Sequence, residues 1–275
     1  VGGVQLFKAE VPGPVADKIR PRVKETAKVL WLVYIGFTAI QTLLLGLAGM
    51  PWFEAVCHAF TTVSTGGFST QNESIASYSS SAIQYIIILF MFLAGINFTL
   101  HFRALAGNLK SHIMDYEFKI YLILIFIATL FIFLNISNSG DNWSHDSFLK
   151  SLFQSITIIT STGYANADYE LWPFFSQLLL FFLMFFGAMG GSTSGGLKIA
   201  RIILLFKYAA TETRRMLHSR AIIPLKIGQR SIGDDIVRNT LGFFLIYLSI
   251  FVLTALVLAS FNLDLISALG ASASA

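Results

Sequence analysis

Long uncharged apolar stretches alternate with short polar ones along the chain. Between Lys28 and Glu54 lie 25 residues without Asp, Glu, Lys or Arg. Further stretches run from about Ala82 to Leu100, from Ile120 to about Phe133, from near Trp172 to Leu197, and between Arg238 and Asp264. About 20 mostly apolar residues in a helix cross the hydrocarbon core of a bilayer. The pattern therefore predicts five transmembrane helices. The third, with Asn135 and Asn138 at its outer end, is the least apolar.

Two shorter apolar segments, Trp52–Thr62 and Ser147–Thr157, sit between spans. Runs of 10–14 apolar residues suit re-entrant or buried helices. Each leads into a loop of small residues: Val63-Ser64-Thr65-Gly66-Gly67-Phe68-Ser69, and Thr160-Ser161-Thr162-Gly163-Tyr164-Ala165-Asn166. Both contain Ser-Thr-Gly followed closely by an aromatic, and this match places Gly66 and Gly163 97 residues apart. The order span, short helix, loop, span thus occurs twice, and an internal repeat of this kind governs the fold. The fifth span followed by Asp264–Gly270 reads as the opening of a third copy.

Composition sharpens this picture. The chain of 275 residues is 55% hydrophobic and only 12% charged, with 26 Phe, whereas soluble domains carry about 25% charged residues. A water-soluble globule and a disordered chain are excluded, and 19 basic residues nearly matched by 15 acidic ones argue against a nucleic-acid binder. The single cysteine, Cys57, rules out an internal disulfide and a cysteine metal cluster. With five crossings, 18 of the 19 Lys and Arg fall on one side and only Lys150 on the other. The basic side is cytoplasmic by the positive-inside rule, so the N-terminal segment is expected there. The opposite side carries Glu54, Glu73, Asp141, Asp146, Asp168, Glu170 and Asp264. Such a face concentrates cations, or simply reflects topology.

A short helix entering from outside aims the negative end of its dipole into the membrane, which suits a cation. Irregular backbone at that depth survives only inside protein or along a water-filled path, and its carbonyls can replace the hydration shell of an ion. The two loops read as parts of an ion filter lined by backbone. A second glycine-rich segment, Gly187-Ala188-Met189-Gly190-Gly191-Ser192-Thr193-Ser194-Gly195-Gly196, interrupts the fourth span before Ile199–Lys207 resumes a helix. Five glycines in ten residues cannot hold a stable helix. The segment lacks the Gly-Lys-Ser/Thr of a phosphate loop, and Ser194 breaks a Gly-x-Ser-x-Gly elbow around Ser192. His58 and His101 have no partner at ligand spacing. No paired catalytic groups appear, so an enzyme is not expected.

These residues resemble the membrane subunit of Trk-type potassium uptake systems, within the Trk/Ktr/HKT superfamily. The resemblance covers essentially the whole chain. It rests on Phe7–Pro14, Arg20-Pro21-Arg22 and Glu25–Lys28 as a cytoplasmic lead-in, on Thr65-Gly66-Gly67-Phe68-Ser69-Thr70 and Ser161-Thr162-Gly163-Tyr164 as second and third filters, and on Gly187–Lys198 as an intramembrane loop. The pattern departs from relatives at Ser64-Thr65, Ala188 and Ser194.

The resemblance implies an all-α polytopic membrane protein built of helix, pore helix, filter loop and helix units around one pore. The units would be residues 1–25 as lead-in, 26–118 as the second repeat, 119–238 as the third and 239–275 as the start of the fourth. The first repeat and the fourth filter would lie outside this sequence. Ion-binding residues would be Val63, Ser64, Thr65, Gly66, Gly67, Thr160, Ser161, Thr162, Gly163 and Tyr164, with K⁺ at Thr65, Gly66, Thr162 and Gly163. Gly187, Gly190, Gly191, Ser192, Thr193, Gly195 and Gly196 would form a gate below them. The implied activity is K⁺ uptake across a bacterial inner membrane, with K⁺ as the transported ion and no covalent cofactor. A Na⁺- or H⁺-coupled or weakly selective cation transporter, and a non-transporting scaffold, are the competing readings. Implied partners are a second copy in a homodimer, membrane lipids and a cytosolic nucleotide-binding TrkA-type subunit docking on the basic stretch 207–238.

Overall fold

The computed structural model describes residues 23–108, 110–139, 143–217, 224–227 and 230–274. The expected lead-in motifs at 7–14 and 20–22, and parts of the basic stretch, lie outside the described residues. Helix α1 spans Val23–Leu47 and α2 Trp52–Val63. A 3-10 turn at Ser74–Ser77 leads to α3, Ser81–Ala94, and α4, Phe98–Leu105. Short α5 is Lys110–Met114, α6 is Tyr116–Asn138 and α7 is His145–Ile159. After α8, Phe174–Met184, the chain forms a two-residue parallel pairing of Phe186-Gly187 with Leu197-Lys198. Helix α9, Ile199–Leu217, then precedes a small antiparallel pairing of Lys226-Ile227 with Arg230-Ser231, α10 at Asp234–Ser260 and α11 at Leu265–Ser274.

Among the described residues, three helices are long and apolar enough to cross a membrane: α1 from Ala27, α6 and α10. The predicted second span is not one straight helix. It breaks at Gly95-Ile96-Asn97, and α3 and α4 meet at 99°. Asn97 makes the new start, its side chain accepting from Thr99 N at 2.8 Å. Gly95 is required at the bend because a Cβ there would collide with the Tyr121 hydroxyl and crowd Thr160 and Ala188. The predicted fourth span is likewise short. Its regular part is the 11-residue α8, and the glycine-rich loop follows.

Helix starts follow local chemistry. Asp115 caps α6 by accepting from Phe118 N, and Ser144 caps α7 by accepting from Ser147 N. The third apolar stretch extends beyond its predicted limits because Asn135 is absorbed: Ser176 donates to it at 2.7 Å from α8. One core cluster holds Ile87, Met91, Tyr121, Ile132, Phe153, Ile159, Tyr164 and Met189, and so binds spans, short helices and loops into one packed unit. By contrast, α10 buries only Val237 and Thr240 and exposes Leu245, Ile246, Leu253 and Leu256. In lipid such apolar surface carries no solvation cost, and packing rather than hydrophobic transfer joins the helices.

Candidate functional site

The short helices α2 and α7 end in the same backbone frame. Their C-caps, Ser64 and Thr160, have φ/ψ of −77°/−6° and −82°/−1°. Thr61 O accepts from Gly66 N at 2.7 Å and Gly67 N at 3.2 Å. Thr157 O accepts from Thr162 N at 2.8 Å and Gly163 N at 3.3 Å. Positive φ falls at Thr65 and Gly67 in one loop, and at Ser161 and Gly163 in the other. The structural equivalents are therefore Ser64 and Thr160, Thr65 and Ser161, Gly66 and Thr162, and Gly67 and Gly163. This corrects the motif match made on Ser-Thr-Gly, which set Gly66 against Gly163. The frame is offset by one residue because the amides that fold onto the helix end define it, not the side-chain string.

The two glycines have different surroundings. Gly67 has φ +68° and lies so close to the other loop that a Cβ would run into the Thr162 carbonyl. Gly163 has φ +84° with open space before it. Gly66 lacks a positive φ, and a Cβ there would touch mainly Ser64 Oγ at 3.3 Å. Val63, Thr160 and Thr162 are buried, with the Thr160 and Thr162 hydroxyls 2.8 Å apart. Tyr164 is buried and ties its loop to α2, its hydroxyl lying 2.6 Å from Thr61 Oγ1 and donating to His58 O at 3.2 Å. His58 is a structural hydrogen-bonding residue, bridging Glu54 O and Ser69 Oγ.

Both loops open onto a cavity of about 500 Å³. Ser64, Thr65, Ser161 and Gly163 line one part of it, Thr193, Gly195 and Gly196 another, and Ala273 and Ser274 of α11 a third. Helices α2 and α7 thus end at one cavity, and their C-terminal dipole ends favour a cation there. Gly66, Gly67 and Thr162 belong to the loops but do not line this cavity.

The glycine-rich loop is fastened on several sides. Gly191 O accepts from Phe98 N at 3.0 Å, and Met189 N donates to Gly95 O at 3.1 Å, so the loop rests on the bend between α3 and α4. Thr193 Oγ1 donates to Val63 O at 2.9 Å, at the end of α2. Ser194 accepts from Ala188 N at 3.1 Å and its hydroxyl lies 2.8 Å from Ser192 Oγ. Lys198 Nζ donates to Ser194 Oγ at 2.9 Å and also to Ser194 O. The departure from the family pattern at Ser194 therefore supplies a hub within the loop. Gly190 N donates to Glu117 at 2.8 Å and Gly187 packs against the Gly195 carbonyl, where a Cβ has no room.

The acids of the opposite face do local work. Glu54 accepts from Gln71 at 3.2 Å and from the Tyr78 hydroxyl. Burial pushes that hydroxyl up to about 12, and its bond to Glu54 acts in the same direction. Asp146 pairs with Lys150 at 2.6 Å, Asp168 caps the turn at Tyr169–Leu171, and Asp264 is held below the usual carboxylate range by the Ser267 side chain and then by Ser267 N. Asp141 lies outside the described residues.

Over residues 1–275 the sequence matches the TrkH family, described as a cation transport protein. The chain belongs to this family. It is 40% identical to the Trk system potassium uptake protein TrkH of Salmonella typhimurium, over 98% of this chain and 56% of that one. It is 33% identical to the Trk system potassium uptake protein TrkG of Escherichia coli K12, over 97% and 56%. The crystal structure of the potassium transporter TrkH from Vibrio parahaemolyticus superposes with a TM-score of 0.89 at 35% identity, over 99% of this chain and 59% of that one. The chain therefore spans a little over half the length of these relatives. The TrkH family is one of transporters, not enzymes.

Sequence reasoning missed two residues at this site. Asn97 was hidden because one Gly-x-Asn in an apolar run reads as a tolerated interruption. Glu117 was hidden because an acid in the first turn of a helix is an ordinary dipole partner. Its position, three residues before the uncharged stretch that opens at Ile120 and within the same helix, is the signal that could have flagged it.

Proposed function

We propose that this chain supplies two filter loops and the gate of a potassium uptake pore in a bacterial inner membrane. The observation that carries this reading is the shared hydrogen-bond frame at the ends of α2 and α7, facing one cavity. In this reading α2 and α7 are pore helices, and K⁺ sheds water at carbonyls of Val63–Gly67 and Thr160–Tyr164, with Thr65, Gly66, Thr162 and Gly163 among its ligands. The loop from Gly187 to Gly196 obstructs the path on the cytoplasmic side and moves when the pore opens. A negative-inside potential drives entry by about 2.3 kcal/mol per charge per 100 mV.

The names of the relatives support potassium as the cargo. The basic residues of α9 and beyond, including Arg214, Arg215 and Arg238, support reading that side as cytoplasmic. They also form the surface on which a nucleotide-binding regulatory subunit of the TrkA type would dock. A homodimer is part of the same proposal.

The test is ⁸⁶Rb⁺ uptake by the full-length protein in liposomes. Uptake competed by external K⁺ and insensitive to equal Na⁺ is expected. Folded protein that moves no Rb⁺, or that Na⁺ inhibits as well as K⁺ does, overturns the proposal.

A further inference from the structure

We propose that Glu117 is a positioning residue that latches the glycine-rich loop shut, an inference that rests on reading this loop as the gate. Glu117 sits in the first turn of α6 but does not serve its own helix, because Asp115 already caps it at Phe118 N. Its side chain is turned inward to the loop. One oxygen, Oε1, accepts from Gly190 N at 2.8 Å and from Ala200 N at 3.0 Å.

These two amides lie at opposite ends of the loop. Gly190 precedes the turn that carries Ser192 and Thr193, and Ala200 is the second residue of α9. An amide in the first turn of a helix has no partner within that helix. A single carboxylate oxygen therefore closes the loop into a ring and anchors it to a span that belongs to neither end. Lys198 supplies a second fastening within the ring through Ser192 Oγ and Ser194 Oγ. Lys198 acts inside the loop and moves with it. Glu117 acts from outside and fixes where the loop sits.

Two consequences separate a latch from a residue that merely packs. The latch needs an acceptor oxygen and not a charge, so Gln retains it and Ala removes it. Its loss frees the loop ends, so the loop moves more and the pore leaks more, while the filter loops keep their frame.

The experiment uses the full-length transporter with its native cysteines, Cys57 included, replaced by serine. Gly195→Cys serves as reporter, because a Cβ there meets nothing nearer than Ser161 at 3.8 Å and faces the cavity. The rate of modification by a small thiol reagent and the basal ⁸⁶Rb⁺ flux are read in the parent, Glu117→Ala and Glu117→Gln. Loss of an acceptor that serves two amides corresponds to at least roughly tenfold in an equilibrium. Both readings are expected to rise about tenfold in Glu117→Ala and to return to parent values in Glu117→Gln. Glu117→Leu keeps the bulk without the acceptor and replaces the Ala variant if that protein does not fold. Equal modification rates in parent, Ala or Leu, and Gln overturn the latch. So does an equal rise in Ala and Gln. Faster modification without greater flux upholds the latch and overturns the reading of the loop as a gate.

Discussion

Thr65 and Thr193 clasp each other across 128 residues of sequence. The Thr65 hydroxyl, 2.7 Å from Ser64 O, reaches Thr193 O at 3.0 Å, while the Thr193 hydroxyl reaches back to Val63 O at 2.9 Å. The loop after α2 and the glycine-rich loop are thereby fastened at a point where Thr65 is held at φ +55°. A β-branched residue with positive φ is an outlier, and strain of this kind costs about 1–3 kcal/mol and persists only when neighbours enforce it.

Thr193→Val keeps the shape and removes the donor to Val63. Each lost bond of this type weakens the loop's seat by about 1 kcal/mol. Basal Rb⁺ flux of Thr193→Val is expected to rise severalfold, with Thr193→Ser close to the parent. Unchanged flux in Thr193→Val shows that the clasp does not restrain the loop.

How much of this was legible in the sequence depends on what each feature rests on. The short helices were visible at Trp52–Thr62 and Ser147–Thr157 because length and apolarity define them, and they occur as Trp52–Val63 and His145–Ile159. The loop register was not. Ser64-Thr65-Gly66 and Ser161-Thr162-Gly163 match as strings, yet the amides that converge on Thr61 O and Thr157 O start one residue apart relative to those strings. Side-chain identity carried the motif, while backbone hydrogen bonding carries the structure. The clasp and the Glu117 contacts join residues more than 70 positions apart, and no local pattern reports such pairs.

The glycines of the loops after α2 and α7 separate by consequence. Gly67→Ser must push a Cβ into the Thr162 carbonyl at a positive φ, so it breaks the contact between loops. It is expected to abolish Rb⁺ flux and lower the melting temperature. Gly163→Ser adds its side chain to open space beside the cavity but is strained at φ +84° by about 1–2 kcal/mol, so it is expected to fold with a lower melting temperature than the parent and to admit Na⁺. Gly66→Ser is the mildest of the three. Permeability ratios for K⁺ and Na⁺ together with thermal melts check the order, and Gly66→Ser being the most disruptive contradicts it.

Tyr164 anchors the loop after α7 to α2 rather than to its own short helix. Tyr164→Phe keeps the ring beside His58 but removes the hydroxyl that meets Thr61 Oγ1 and His58 O. A buried hydrogen bond lost with its partner left behind costs about 1–3 kcal/mol. A lower melting temperature and a reduced K⁺ over Na⁺ preference are expected together. Lower stability with unaltered selectivity assigns Tyr164 to packing alone.

Adjacent glycines of the glycine-rich loop are not equivalent either. Gly196 has φ +67°, and a Cβ on it would lie 3.2 Å from Gly187 N. Gly195 has no such φ, and its nearest neighbour would be Ser161 at 3.8 Å. Alanine at a positive φ is strained whatever the space, by about 1–2 kcal/mol, and here it also presses on the strand pairing of Phe186-Gly187 with Leu197-Lys198. Gly196→Ala is expected to disturb the closed loop and change basal Rb⁺ flux severalfold. Gly195→Ala should leave flux within about twofold, a shift under 0.5 kcal/mol. Neither touches the hydrogen bonds at Thr61 and Thr157, so K⁺ over Na⁺ preference stays at the parent value in both. A selectivity change in Gly196→Ala with normal basal flux refutes the division of labour between filter and gate.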